Sequence, residues 1–255
     1  MSALLIAYGL CGSWDKVAVI DTENRSADLY AHLGAYKTLS LEPPYSPERY
    51  IEGIDLCIQA GIEVIAIDST SHEWEYLLDY HSSLQGNSFT NWGKVTPRHE
   101  AFVNKILQSN AHFICTMRSK TDYVLSEKNG KQVPEKVGMK SVQRENLEYE
   151  YTVVLELDMT HRAKASKDRT GLFTGKPEFI PTIDTGRAIL DWCNQGADNP
   201  NLITYEQMQQ LIHTCTSTQE LNALYYAQPQ YQQALRHEFT ARNQQITTLT
   251  QQPTS

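Results

Sequence analysis

The sequence predicts an α/β fold: a largely parallel sheet flanked by helices, with a C-terminal β-hairpin region and a small helical tail. Three observations point there. Short apolar runs recur at Lys16-Val-Ala-Val-Ile-Asp21, Glu63-Val-Ile-Ala-Ile-Asp68 and His112-Phe-Ile-Cys-Thr-Met117, and runs apolar throughout belong to strands buried on both faces of a parallel sheet. Helical patterns stand between them, the alternation of a doubly wound sheet. Past residue 200 the composition shifts: residues 201–255 hold twelve Gln and nine Thr but no Lys.

In chain order, residues 2–11 are Ala/Leu-rich and predict a helix, followed by a Gly-Ser-Trp-Asp turn and the first strand at 16–21. A second helix is expected over 25–33, stopped by Gly34, then a weak strand at 36–41. Pro43, Pro44 and Pro47 break the chain before a helix at 47–60 that Gly61 ends. The second strand runs over 63–68, and His72-Glu73-Trp74-Glu75, which lacks HExxH spacing, reads as the exposed start of a helix. Thr96-Pro97 predicts a cap with Pro at the first helical position, opening a helix through Gln108. Strand-like pieces near 121–125 and 133–140 lie in a polar segment, 118–147. A long strand is expected at 148–159, paired with 163–174 as a hairpin, then a short helix at 187–194. Gln195-Gly-Ala-Asp-Asn-Pro200 marks a linker. The expected organisation is a core over 1–195, a small helical module over 201–245 and a disordered end at 246–255.

The 255 residues are 40% hydrophobic, a globular composition. Lys+Arg number 22 against 30 Asp+Glu, and the net charge of −8 excludes a basic coat for nucleic acid. Apolar stretches such as Ala3 to Ala7 fall far short of the roughly 20 residues of a membrane span. The first residues lack the basic region of a signal peptide, so a soluble cytoplasmic protein without membrane contact is expected. Five cysteines with no CxxC spacing indicate neither a disulfide framework nor a zinc site. The eight histidines are scattered, and none is assigned a role.

Two strands end in acids, at Asp21-Thr22-Glu23 and at Asp68-Ser69, which puts carboxylates at the carboxyl edge of the sheet, where open α/β sheets bind ligands. Asp also ends strands because it favours turns. Two such ends, followed by a third strand leading into Arg118 and Lys120, favour a binding edge, because a strand-terminal Asp is what a Mg-nucleotide site uses to hold the metal and its waters.

With those motifs in that order, residues 2–175 resemble RecA-like recombinases and phage RecA-like ATPases. The resemblance implies a RecA-like P-loop ATPase that uses ATP and Mg²⁺, assembles with itself and acts in phage or mobile-element DNA recombination or repair. It puts the general base on Glu23, the Walker B aspartate that serves Mg²⁺ on Asp68 beside Ser69, and the γ-phosphate sensor strand on Phe113-Ile-Cys-Thr116-Met-Arg118-Ser-Lys120. Thr116 stands where the family often has an amide, and Arg118 follows as a nucleotide-binding candidate. Lys167-Asp-Arg169 resembles the element that reaches a neighbouring subunit's nucleotide, where cations stabilise developing charge; its residue-level alternative is a solvated hairpin tip.

A P-loop needs Gly-x-x-x-x-Gly-Lys-Ser/Thr, and Gly93-Lys94-Val, Gly130-Lys131-Gln and Gly175-Lys176-Pro all depart from it. By the resemblance, the helix at 2–11 is the one that the loop opens, and the missing strand belongs beside the Asp68 strand. Met1 is therefore expected to be an internal Met of a longer reading frame, and the 255-residue chain to bind ATP poorly. The segment 120–144 carries Lys120, Lys128, Lys131, Lys136, Lys140 and Arg144 against Asp122, Glu127 and Glu135. Its local +3 and its position after the sensor strand suit single-stranded DNA; an exposed hairpin with Lys for solubility would read the same way. Two other functions fit the pattern: a non-catalytic oligomerising or DNA-binding scaffold, and a nucleotide kinase-like enzyme on the same core.

Overall fold

The computed structural model describes residues 1–128, 131–196, 203–228, 231–232 and 234–250, with backbone alone over 121–128, 131–139 and 248–250. The chain divides into two units, residues 1–195 and 196–255. In the first, α1 (Ser2–Cys11), β1 (Val17–Asp21), β2 (Lys37–Ser40), α2 (Pro47–Gln59), β3 (Val64–Asp68), α3 (Ser71–Ser83), α4 (Ser88–Gln108) and β4 (His112–Cys115) alternate. The four strands are all parallel in the order β2-β1-β3-β4. Hairpins β5 (Ser119–Lys128) with β6 (Lys131–Ser141) and β7 (Val153–Leu157) with β8 (Ala163–Asp168) follow, and then α5 (Ile183–Asn194).

Side chains of a strand alternate between faces, and both faces here are covered. Ala18, Ile20, Ile65 and Ile67 pack with Tyr50 and Ile54 of α2 and Phe102 and Ile106 of α4. Val17, Val19, Val64 and Ala66 pack with Leu4, Ala7 and Leu10 of α1 and Ile189 and Leu190 of α5. This is the α/β architecture, a parallel sheet flanked by helices, that the alternating runs predict. Burial on both sides is why these strands read as unbroken apolar runs.

Several local expectations are corrected. β3 pairs with β1 on one side and β4 on the other, so there is no gap beside the Asp68 strand and its ladder is satisfied. Residues 26–33 form 3-10 turns, because the Asp21 carboxylate takes the Glu23 and Ala27 N–H groups and holds the chain in a loop. The helix expected from Thr96 begins at Ser88, where the Asn87 side chain accepts the Phe89 N–H at 2.8 Å, and it carries Pro97 inside. The long strand expected over 148–159 is a 3-10 turn, Leu147–Tyr149, followed by the five residues of β7. Asp158 ends β7 by accepting the N–H groups of Thr160 and Arg162. α5 opens four residues early, at Ile183, on a Thr182–Thr185 capping box.

The second unit holds α6 (Tyr205–Thr214), α7 (Thr218–Ala227) and α8 (Arg236–Thr250), packed through Met208, Ile212, Leu221, Leu235 and Phe239. α8 runs to Thr250, and residues 251–255 of the segment expected to be disordered lie outside the described residues. Among the described residues no helix is long and apolar enough to cross a membrane.

α1 and α5 cross where each has a glycine. A Cβ at Gly9 would lie 2.1 Å from the Ile183 carbonyl and 2.8 Å from the Gly186 Cα, contacts that backbone cannot relieve cheaply. Gly9→Ala is expected to cost about 1–3 kcal/mol through overpacking. Thermal unfolding should therefore show a Tm several degrees lower; an unchanged Tm would contradict the crossing.

Candidate active site

The site is built by register. β1 and β3 run side by side with Asp21 opposite Asp68, so both strands end at one level of the sheet. The chain beyond β1 is then fastened to the chain beyond β3. The Thr22 N–H donates to the Asp68 carbonyl at 2.7 Å, the Ser69 N–H donates to Thr22 Oγ1 at 2.9 Å, and the Tyr50 hydroxyl donates to the Ser69 carbonyl at 3.0 Å. The Asp68–Ser69 peptide is cis. Asp21, 1% exposed, faces inward, and its two oxygens hold the Glu23 and Ala27 amides at 2.7 Å each. It is a strut for the loop, leaving Glu23 and Asp68 as the carboxylates available at the edge.

Asp68 receives the Thr116 hydroxyl at 2.6 Å on Oδ1 and the Ser26 hydroxyl at 3.5 Å on Oδ2. Thr116 itself continues the β4 ladder, its N–H donating to the Ile67 carbonyl at 3.0 Å. Burial holds the Met1 amino group below its ordinary value, against the opposing negative charge of Asp68. One carboxylate with two hydroxyls beside it is an all-oxygen set, the donor type that suits Mg²⁺, and among the described residues no group of three or more His, Cys, Asp or Glu that could hold a metal occurs.

Glu23 is the most heavily engaged group. Its Oε1 accepts the Ser69 hydroxyl and the Arg118 Nε–H, each at 2.9 Å, and its Oε2 accepts the Arg118 Nη2–H. His72 Nε2 stands 3.8 Å from Oε1. Burial pushes this carboxyl up, but the hydrogen bonds of Arg118 and Ser69 and the guanidinium charge hold it below its ordinary value. Arg118, an expected nucleotide contact, is thus occupied with the carboxylate.

Glu23, Asp68, Ser69, Thr116 and Arg118 converge, whereas Lys167 and Arg169 are placed elsewhere. Lys167 Nζ donates to the Glu148 carbonyl at 3.0 Å and to that of Tyr149, and Arg169 Nη2 donates to the Tyr149 carbonyl at 2.7 Å. Between them, Asp168 Oδ1 accepts the Thr170 and Gly171 N–H groups while Oδ2 accepts those of Phe173 and Thr174. Burial opposes ionisation there, yet these bonds hold the carboxyl far below the usual range. Lys167 therefore sits on β8, paired opposite Val154, and Arg169 opens the ordered loop that follows the strand.

In the basic segment, Lys120 is exposed at the start of β5, Lys140 pairs with Glu145, and Arg144 reaches Thr96 Oγ1 at 3.4 Å. The side chains of Lys128, Lys131 and Lys136 lie outside the described residues.

The start of α3 differs from its expectation. Glu73 is fully buried and lies 3.2 Å from Nδ1 of buried His99, with burial raising its carboxyl and His99 opposing that shift. His72 and Tyr45 also join the site, their rings stacked with centroids 4.8 Å apart. The only signal in the sequence was that His72 follows Asp68 by four residues.

A family model described as an AAA domain matches residues 6–181. The chain belongs to the AAA domain family. Membership makes this an AAA-type, P-loop NTPase-like domain, of a kind that binds nucleotide and usually uses Mg²⁺. No curated protein and no solved structure matches the chain.

The Glu23–Arg118 pair has a pH signature. A carboxyl depressed in the folded chain contributes stability above its unfolded value, and that contribution is lost as the pH falls through the folded one. Arg118→Ala should therefore destabilise by about 1 kcal/mol at neutral pH and by much less at about pH 3, read by urea unfolding. Equal losses at both would show that the pair is not formed.

Proposed function

We propose that this AAA domain is a RecA-like ATPase that hydrolyses ATP at the edge formed by β1, β3 and β4, in a self-assembled form acting on DNA in recombination or repair. The observation that carries this is the joining of Glu23 to the Asp68 strand through Ser69, which brings a general-base candidate and a metal-binding candidate to one edge. Asp68 would hold Mg²⁺, with Thr116 and Ser26 supplying hydroxyls beside it. Bound there, a Mg²⁺ would supply positive charge to offset the negative charge that develops during phosphoryl transfer.

This chain's own residues do the rest. Glu23 would orient and deprotonate the attacking water, but each of its oxygens already accepts a hydrogen bond from Arg118. The observed arrangement is therefore a resting one, and hydrolysis requires Arg118 to release at least Oε2. Arg118 is placed to respond to what binds beyond it, because its carbonyl accepts the Val142 N–H at 2.7 Å at the base of the β5–β6 hairpin. Lys167, at the end of β8, and Arg169, at the start of the loop that Asp168 orders, would reach a neighbouring copy's nucleotide. Lys120, Lys128, Lys131, Lys136, Lys140 and Arg144 would contact single-stranded DNA.

Residues 1–255 contain no Gly-x-x-x-x-Gly-Lys-Ser/Thr, an observation that favours a second reading, a non-catalytic oligomerising or DNA-binding scaffold. Glu23→Gln separates the two. In the longest natural form of the protein, ATP turnover should fall by about 10²–10⁴ with nucleotide binding kept; a wild type without turnover would leave the scaffold reading. For DNA, affinity should fall steeply with salt and be weakened by the triple change Lys128/Lys131/Lys136→Ala; no binding at low salt would refute contact.

A further inference from the structure

We infer that His72 is a positioning residue for Glu23, held as the neutral tautomer with its proton on Nε2; the role rests on the catalytic reading of Glu23 given above. The imidazole is fixed on three sides. One face stacks on Tyr45 with 16° between the rings, Nδ1 lies 2.8 Å from Thr22 Oγ1, and Nε2 faces Glu23 Oε1 at 3.8 Å. Its side chain is only 12% exposed.

The hydrogen bonds around Thr22 decide where the proton sits. Thr22 Oγ1 already accepts the Ser69 N–H at 2.9 Å, so its single proton is free to be donated. The carbonyls of Asp68 and Ser69 lie at 3.2 Å and each has another donor, the Thr22 N–H for Asp68 and the Tyr50 hydroxyl for Ser69. His72 Nδ1, at 2.8 Å, is nearer than either. Donation to Nδ1 leaves the ring proton on Nε2, pointing at the Glu23 carboxylate.

A gap of 3.8 Å is too long for a hydrogen bond, and in the resting arrangement Oε1 is served by Ser69 and Arg118. Once Arg118 leaves, Oε1 keeps the Ser69 hydroxyl and gains room for the His72 Nε2–H. Two donors on Oε1 would then hold the carboxylate still while Oε2 faces the water. His72 faces Glu23 Oε1, so any effect it has on hydrolysis is exerted through Glu23. The charged and titratable groups that meet it are Glu23, Tyr45 and, across Glu23, Arg118.

Two measurements test this. Long-range ¹H–¹⁵N spectra of histidine-labelled protein at neutral pH should show His72 as the Nε2–H tautomer; an Nδ1–H tautomer or an imidazolium would overturn the assignment. The second measurement is ATP hydrolysis by the longest natural form. His72→Asn keeps a partner for Thr22 but none for Glu23, because the shorter amide stops short of the carboxylate, whereas His72→Gln keeps a donor toward Glu23. The turnover of His72→Asn should therefore fall about tenfold below that of His72→Gln with KM unchanged. Equal losses in the two variants, or a loss in KM alone, would reduce His72 to a packing residue. A wild type that hydrolyses nothing would instead overturn the catalytic reading, and the positioning role with it.

Discussion

The parallel pairing of β1 with β3, Asp21 opposite Asp68, is the constraint from which the site follows. In a parallel ladder a shift by one residue would turn every side chain to the opposite face. Here it would exchange Ile20 and Ile67 with Val19 and Ala66 between two filled cores. The fit of these particular side chains in the two cores thus fixes the level at which both strands end. Thr22 and Ser69 then lock the emerging chains to each other, and Asp21 uses both oxygens to set where Glu23 leaves the strand. The geometry of the edge is inherited from the packing of the sheet.

On that frame the electrostatics are arranged around one carboxylate. Glu23 has a guanidinium on both oxygens, a hydroxyl on one and an imidazole nearby. These donors favour the charged form, while the bidentate grip of Arg118 occupies both oxygens. Arg118 is also the link between β4 and the first hairpin, its N–H donating to Ser71 Oγ at 3.0 Å. A displacement of the hairpin would be transmitted to Glu23 through the Arg118 side chain. The AAA-domain match covers the sheet, both hairpins and this link.

Much of the fold was legible because both-face burial writes itself into sequence as apolar runs, and Asp at a strand end marks the carboxyl edge. Glu23, Asp68, Ser69, Thr116 and Arg118 were legible as candidates through the order of those runs. What the sequence did not carry is pairing across long separations. Arg118 and Glu23 are 95 residues apart, and nothing local tells a guanidinium that it will meet a carboxylate and not a phosphate. His72 and Glu73 read as the exposed start of a helix, yet Thr22 and Tyr45 enclose one and His99 the other. The helix start at Ser88 was missed because Thr96-Pro97 imitates a cap; the Asn87 side chain is the real one.

The most direct measurement is a crystal structure of the Glu23→Gln protein, in its longest natural form, grown with Mg²⁺ and ATP. The predicted result is phosphate and metal density beside Asp68, with the Arg118 guanidinium withdrawn from residue 23. Nucleotide bound away from the edge of β1, β3 and β4, or no nucleotide with Arg118 unmoved, would contradict the assignment of this edge as the hydrolytic site.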